Sequence, residues 1–278
     1  MTKSVPISFE FFPPNTPVGD DKLKIVVQEL GALKPDFFSV TYGAGGATRE
    51  KTLKTVQAIA AAGFEAAPHL SCIGSTREGI AAVLATYRAQ AIRRIVALRG
   101  DLPSGTAVAG EFRYAADLVR FIRETQGGDW QIEVAAYPEY HPGQRYAARD
   151  LQHYVDKVRA GADSAITQFF FNPEAYFHFV EQTRKLGASV PVVPGIMPFH
   201  NYARIAQFSA RDGIDIPRWV ALKMEGFMDD AASIRAFGLD VVTSLCERLI
   251  AGGAPGIHFY TMNQSALTLE LCKRLGLG

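Results

Sequence analysis

Short, nearly continuous apolar runs alternate along this chain with longer stretches whose apolar residues recur every three or four positions. The runs Val5–Phe11, Phe37–Thr41, Glu65–Leu70, Arg94–Leu98, Gln131–Ala136, Ser164–Phe169, Val190–Val193 and Gly256–Tyr260 predict eight strands. Between them, Asp20–Leu33, Thr48–Ala62, Thr76–Gln90, Glu111–Glu124, Arg145–Ala160, Pro173–Leu186, Asn201–Ala210 and Asp229–Ala251 predict helices, and Gln264–Leu275 closes the chain with one more. Several helices start at a capping residue and stop at a glycine, as at Gly63, Gly161, Gly187 and Gly252. Strands this apolar need cover on both faces, and their alternation with helices implies a parallel sheet.

A length of 278 residues admits one α/β barrel, which takes ~250 residues, or two modest domains. Eight strand–helix beats, without a Ser/Gly/Pro tract or a charged block that could serve as a linker, favour a single (β/α)8 TIM barrel over residues 1–278. An open dinucleotide-binding sheet would carry G-x-G-x-x-G after its first strand. Here that strand runs into Phe12-Pro13-Pro14, and the cluster Gly43-Ala44-Gly45-Gly46 after the second strand has a different spacing.

Hydrophobic residues make up 48% and charged residues 21%, enough apolar surface for a substantial core. Lys and Arg total 29 against 28 Asp and Glu, so the chain lacks the basic field that nucleic acid or an anionic membrane attracts. Small molecules are the expected partners. The three cysteines, Cys72, Cys246 and Cys272, form no C-x-x-C pair, which fits a reducing cytoplasm without a cysteine-held metal. Cys72 reads more readily as a buried small hydrophobe than as a reactive thiol. Glu10, Pro13 and Pro14 interrupt the segment where a signal peptide needs an apolar run, and no run reaches the ~18–20 residues that cross a bilayer. A cytoplasmic location is expected, and oligomeric state is open.

Barrel enzymes build their sites at the C-terminal ends of the strands. Those positions carry Glu10, Thr41-Tyr42-Gly43, His69, Arg99-Gly100-Asp101, Tyr137 to His141, Thr167-Gln168, and His258 with Tyr260. Glu10, set among Phe9, Phe11 and Phe12, is expected to be desolvated; burial would raise its pKa and suit it to act as a general acid, the alternative being a carboxylate paired with an arginine. Arg99 and Asp101 present opposite charges around a glycine, either toward a ligand or as a plain ion pair. Gln168, an amide within an aromatic run, suits the edge of a heterocycle. His69 has no partners at metal-ligand spacing, so no metal site is expected. The chain also lacks the nucleophile elbow, the phosphate-binding Walker loop and H-E-x-x-H.

Seven strings lie in order at these strand ends: S-F-E-F-F-P-P (8–14), S-V-T-Y-G-A (39–44), A-A-P-H-L-S-C (66–72), I-V-A-L-R-G-D (95–101), A-A-Y-P-E-x-H-P (135–142), A-I-T-Q-F-F-F (165–171) and H-F-Y-T-M-N (258–263). Together they resemble the methylenetetrahydrofolate reductase family across nearly the whole chain. The resemblance implies a flavoprotein TIM barrel that moves hydride from NADH or NADPH to FAD, and then to 5,10-methylenetetrahydrofolate, in a ping-pong cycle yielding 5-methyltetrahydrofolate. It implies Glu10 and Asp101 as catalytic residues: Glu10 the acid that protonates N10 and opens the folate ring to an iminium cation, Asp101 a group beside flavin and pterin. It implies FAD contacts from Thr41, Tyr42, Ala44, His69, Arg99, Gly100, Asp101, Ala115, Tyr137, His141, Asp150, His153 and Lys157. Substrate contacts are implied for Glu10, Thr41, Asp101, Gln168, Arg204, Phe208, Tyr260 and Gln264.

The chain departs from the family's pattern at three positions. Arg204 stands where bacterial relatives carry glutamine, Gln264 where they usually carry arginine, and Asp156 where a basic residue often attends the FAD. These departures suggest that the substrate-binding cation has moved to Arg204, and that FAD is held more loosely. Two other readings fit an aromatic barrel mouth: a flavin-poor folate-binding or methyl-transfer partner subunit, and a barrel flavoenzyme oxidising an amino acid such as proline. No counterpart of the regulatory domain of eukaryotic relatives is expected.

Overall fold

The computed structural model describes residues 5–42, 46–100 and 110–278, so Ala44 and Asp101 lie outside the described residues. Its elements run β1 (Ile7–Phe11), α1 (Pro17–Gly31), β2 (Phe37–Val40), α2 (Gly46–Ala61), β3 (Ala66–Ser71), α3 (Arg77–Ala89), β4 (Arg94–Leu98), α4 (Ala115–Gln126), β5 (Gln131–Ala136), α5 (Ala147–Arg159), β6 (Ser164–Thr167), α6 (Pro173–Lys185), β7 (Val192–Val193), β8 (Gly195–Ile196), α7 (Tyr202–Asp212), α8 (Arg218–Gly226), α9 (Ala231–Ala251), β9 (Ile257–Tyr260) and α10 (Ala266–Leu275). Every strand pairing is parallel, in the order β7-β6-β5-β4-β3-β2-β1-β9-β8.

Closure depends on Pro194. A proline cannot donate to a ladder, so the seventh stave, expected as Val190–Val193, is two short pieces flanking it. β7 pairs with β6, β8 pairs with β9, and the Pro194 carbonyl accepts from His258 N at 3.0 Å. Among the described residues, nine strands thus make eight staves of an α/β barrel.

Alternation along β1 sorts its side chains into two environments. Ile7, Phe9 and Phe11 point outward and are buried under the helices, where Phe9 packs against Phe38 and Phe259 at ring distances of 5.7 and 5.8 Å. Truncating such a side chain costs about 3–5 kcal/mol. Ser8 and Glu10, out of phase with that outer set, belong to the barrel interior. There a small apolar layer of Phe37, Ala67, Val96 and Ile166 separates the mouth from the opposite end. That end is closed by Arg94, which pairs with Glu65 at 2.7 Å and Glu133 at 3.0 Å and lies over the Phe37 ring.

Helix starts follow local chemistry. Thr16, Thr76, Asn172, Asn201 and Asp230 each accept a backbone N–H in the first turn of the following helix, and Pro17 and Pro173 occupy positions where no N–H is needed. The pattern did not predict α8, whose buried Val220 and Met224 alternate with exposed Trp219 and Leu222, and whose start at Pro217 has no side-chain cap. The strand expected to run to Phe169 stops at Thr167, so Gln168 and Phe169 belong to the loop beyond β6. No described helix is long and apolar enough to cross a membrane.

Candidate active site

Two cavities meet at the C-terminal end of the barrel. The mouth itself encloses about 600 Å³ and is lined by Glu10, Thr41, Tyr42, His69, Gln168, Phe208 and Tyr260, among others. A second cavity of about 320 Å³ lies between the ends of β4 and β5 and the helices α4 and α5, and takes in Arg99, Gly100, Ala115, Tyr137, His141, Asp150, His153 and Lys157. Leu98, Ala135 and Tyr137 line both, so the two form one trough. All the described residues expected to contact FAD or substrate therefore border this trough, except Arg204 and Gln264. Those two line a small side cleft that shares Phe208, Met197, Thr261 and Met262 with the mouth.

Glu10 sits in the mouth between Ser39 on β2 and Tyr260 on β9. Its Oε2 lies 3.2 Å from His69 Nε2 and 3.6 Å from His258 Nε2, and accepts from Ser39 Oγ at 3.4 Å. Neither imidazole nitrogen reaches full hydrogen-bond geometry, but both lie close enough to act on the carboxylate through charge and polar contact. Beneath them, Ser8 Oγ and His258 Nδ1 are 2.7 Å apart.

This environment reverses the sequence-based expectation of a raised Glu10 pKa. Burial pushes it up and is the largest single influence. The charges and hydrogen-bonding capacity of His69 and His258 together outweigh it and bring the value to about 2. The flanking phenylalanines misled because Phe9 and Phe11 face the other side of the sheet; the inward neighbours are serines and histidines.

Loop chemistry fixes Glu10 in place. Thr261 Oγ1 donates to the Glu10 carbonyl at 2.7 Å, while Asn263 bonds Phe12 twice, accepting from its N–H at 3.0 Å and donating to its carbonyl at 2.8 Å. Met262 and Asn263 both hold positive φ, strain of the kind that accumulates at functional sites. Tyr260 donates to the Thr167 carbonyl at 2.7 Å, and its ring lies so close to Gly195 that a Cβ there would come within 2.6 Å of it. Its hydroxyl is held well above its ordinary pKa by burial, with Glu10 adding to the effect. Gln168 accepts from Phe169 N at 3.0 Å through its side-chain oxygen, which leaves its amide donors for a ligand.

In the second cavity, Lys157 Nζ donates to the Ala135 carbonyl at 2.5 Å. Burial lowers its pKa to about 8 against the opposing charge of Asp150. The N-terminus of α4, at Ala115 and Ala116, opens into the same space. Gly100, at φ +82°, has no room for a side chain: a Cβ would fall 1.7 Å from Ser71 Oγ. Tyr137 and His141 meet edge to face at 4.8 Å, His153 stacks on Tyr114 at 4.7 Å, and Asp150 accepts from His141 N at 2.8 Å. A buried ammonium, helix-end N–H groups, a backbone stripped of side chain and flat aromatic edges fit a long anionic dinucleotide such as FAD. Asp117 and Asp156 line the same cavity and oppose an anion.

Several mouth residues escaped the sequence reading. Arg211 and Asp212 pair at 2.6 Å, and the guanidinia of Arg204 and Arg211 lie 5.4 and 5.2 Å from the Phe208 ring. Helical spacing from Phe208 was the available signal. His258 and Ser8 were visible as strand residues, but their contact across 250 positions was not. Cys72 is buried, and its thiol is pushed up to about 12 by that burial, which makes it an inert packing group.

A family model described as methylenetetrahydrofolate reductase matches residues 1–276. The 5,10-methylenetetrahydrofolate reductase of Salmonella typhimurium is 40% identical over 272 residues, covering 98% of this chain and 90% of that protein. A probable NADH-dependent methylenetetrahydrofolate reductase of Oryza sativa subsp. japonica is 35% identical and is covered over 48% of its length by 97% of this chain. Among solved structures, an uncharacterized Clostridium thermocellum protein that binds two copies of 5-methyl-5,6,7,8-tetrahydrofolic acid superposes with a TM-score of 0.67 over 99% of this chain and 94% of its own, at 16% identity.

Proposed function

The chain belongs to the methylenetetrahydrofolate reductase family, and from that premise we propose that it reduces 5,10-methylenetetrahydrofolate to 5-methyltetrahydrofolate with electrons from NADH or NADPH, one substrate after the other in the same mouth. The observation carrying this reading is the single trough, with a cavity lined by Lys157, Arg99 and the α4 N-terminus at one end and the carboxylate of Glu10 at the other. Bound FAD supplies the hydride-carrying chemistry there.

The residues divide the work by position. Lys157, Arg99 and the α4 N-terminus at Ala115 answer the diphosphate, while Tyr137, His141 and His153 wall the cavity. Asp150 holds the His141 backbone and offsets the Lys157 charge. Thr41 and Tyr42 form the wall of the mouth facing the flavin, and His69 serves Glu10 as well as that wall. Gln168 and Tyr260 border the pterin, and Phe208 packs on whichever flat substrate occupies the mouth. Glu10 delivers the proton to N10. Arg204 takes the anionic tail of folate, with Gln264 beside it. Ala44 and Asp101 retain the cofactor and catalytic roles implied by the family resemblance. A cytoplasmic small-molecule enzyme is the corresponding setting.

Anaerobic incubation of the purified chain with FAD, NADH or NADPH, and methylenetetrahydrofolate should yield 5-methyltetrahydrofolate equimolar with the nicotinamide oxidised. Folate binding without product would replace this reading with that of a folate-binding partner subunit.

A further inference from the structure

At the floor of the mouth, above the apolar layer of Phe37, Ala67, Val96 and Ile166, the polar side chains of Ser8, Glu10, His69 and His258 converge from three staves. His258 is fully buried, Ser8 nearly so, and His69 reaches the mouth with little exposure. Among the described residues the two buried Nε2 atoms make no hydrogen bond, yet both lie within 3.6 Å of one oxygen, Oε2 of Glu10. Ser8 meets Nδ1 of His258, and the Phe37 ring stacks on the same imidazole at 6.0 Å. An imidazole stacked on one face by Phe37, met edge to face by Tyr260 and held at Nδ1 by Ser8 is fixed with its Nε2 beside one acceptor.

We propose that His258, oriented by Ser8, is a positioning residue that stores the proton Glu10 delivers, so that the acid of the reaction is the Glu10–His258 pair. The inference rests on the reductase reading above. In the step, the imidazolium N–H bond breaks and its proton passes to the Glu10 carboxylate and on to N10 of folate. The bond from N10 to the methylene carbon breaks, with its electron pair staying on N10. The imidazole and carboxylate end as a neutral ring and an anion, and the positive charge reappears on the folate iminium, so atoms and charge balance without an oxidant. Imidazole is the side chain that exchanges a proton near neutrality. A carboxyl held at about 2 by its neighbours is otherwise ionised at neutral pH. His69, on the mouth side of Glu10, returns the proton from solvent.

The groups around His258 that bear on its titration are Glu10 and Ser8 on β1, Ser39 and Phe37 on β2, His69 on β3 and Tyr260 on β9. Arg94 lies across Phe37 with its partner Glu133, and Tyr137 and Asp212 lie beyond Tyr260.

The test uses FAD-loaded protein in anaerobic stopped flow, following separately the oxidation of NADH and the reoxidation of the flavin by methylenetetrahydrofolate across pH. His258→Gln keeps a donor near Nε2 but has no proton to give, so it preserves a purely structural role. Its reoxidation rate should fall at least tenfold more than its reduction rate, and the wild-type pH inflection in reoxidation should disappear. Ser8→Ala, a smaller change, should shift that inflection. Histidine-selective ¹⁵N NMR, with His258 assigned from His258→Gln, should show an imidazolium at neutral pH that becomes a neutral ring in Glu10→Gln. A His258→Gln rate and pH profile equal to wild type, or a neutral His258 ring with Glu10 intact, overturns the proposal. Absence of any reoxidation in the wild type would overturn the reductase reading instead.

Discussion

Replacing Glu10 by glutamine should destabilise the protein, and the size and pH dependence of that loss follow from its surroundings. The carboxyl falls from an ordinary 4.5 to about 2, which corresponds to ~3 kcal/mol in favour of the charged form in the folded state. Only 16% of the side chain is exposed, so little of this is lost to solvent screening. Because the folded-state value is depressed, the stabilisation is fully present above ~4.5 and drains away as pH falls toward ~2. Glutamine fills the same volume without the charge and leaves two buried imidazoles facing a neutral amide. Equilibrium urea unfolding of wild type and Glu10→Gln, at matched FAD concentration, should show a gap of about 3 kcal/mol at neutral pH that narrows below pH ~4.5. This is opposite in sign to the common case, in which removing a catalytic carboxylate stabilises a fold. A glutamine variant as stable as wild type at neutral pH, or a gap indifferent to pH, would refute the account of how His69 and His258 hold this charge.

Gly100→Ala should cost at least ~2 kcal/mol and release the flavin on gel filtration, since φ +82° is strained for alanine and its Cβ would collide with Ser71, breaking the Ser71 bond to the Arg99 carbonyl; a variant that stays yellow with unchanged Tm contradicts this. Arg204→Ala should raise the folate Km about tenfold, as expected for one charge-assisted hydrogen bond worth ~1.5 kcal/mol, and Gln264→Ala much less; an unchanged Km for the first removes Arg204 from the substrate site. Asp156→Arg should tighten FAD several-fold in a fluorescence titration, because it reverses an unfavourable charge on the cavity wall, and an unaltered Kd would dismiss Asp156 as a determinant.

Much of the barrel was legible because its signals are local. Apolar runs bounded by helical periodicity place every stave, and the helix starts expected at Asp20, Pro173 and Asp229 fall close to the observed Pro17, Pro173 and Ala231. Pro194 shows where local reading runs short: its missing N–H splits the seventh stave, but which neighbour each half pairs with is a property of closure. The helix α8 was missed for the same reason, since its apolar residues divide between core and surface.

For the site, strand-end position pointed to residues that the fold brings together along one trough, and the resemblance implied roles for them. What the sequence could not show was mutual arrangement. Phe9 and Phe11 adjoin Glu10 in the chain yet face away from it, while His69 and His258, 59 and 248 positions away in the numbering, decide its charge. Arg211 and Asp212 reach the mouth only because α7 turns them there.

The central claim is that one bound flavin serves both substrates from the same barrel mouth. Anaerobic absorption spectroscopy of the purified, FAD-loaded chain tests it in a single cuvette. Reduced nicotinamide should bleach the yellow oxidised band, and methylenetetrahydrofolate added to the same sample should restore it with formation of 5-methyltetrahydrofolate. A band that bleaches and stays bleached after the folate is added would contradict the account.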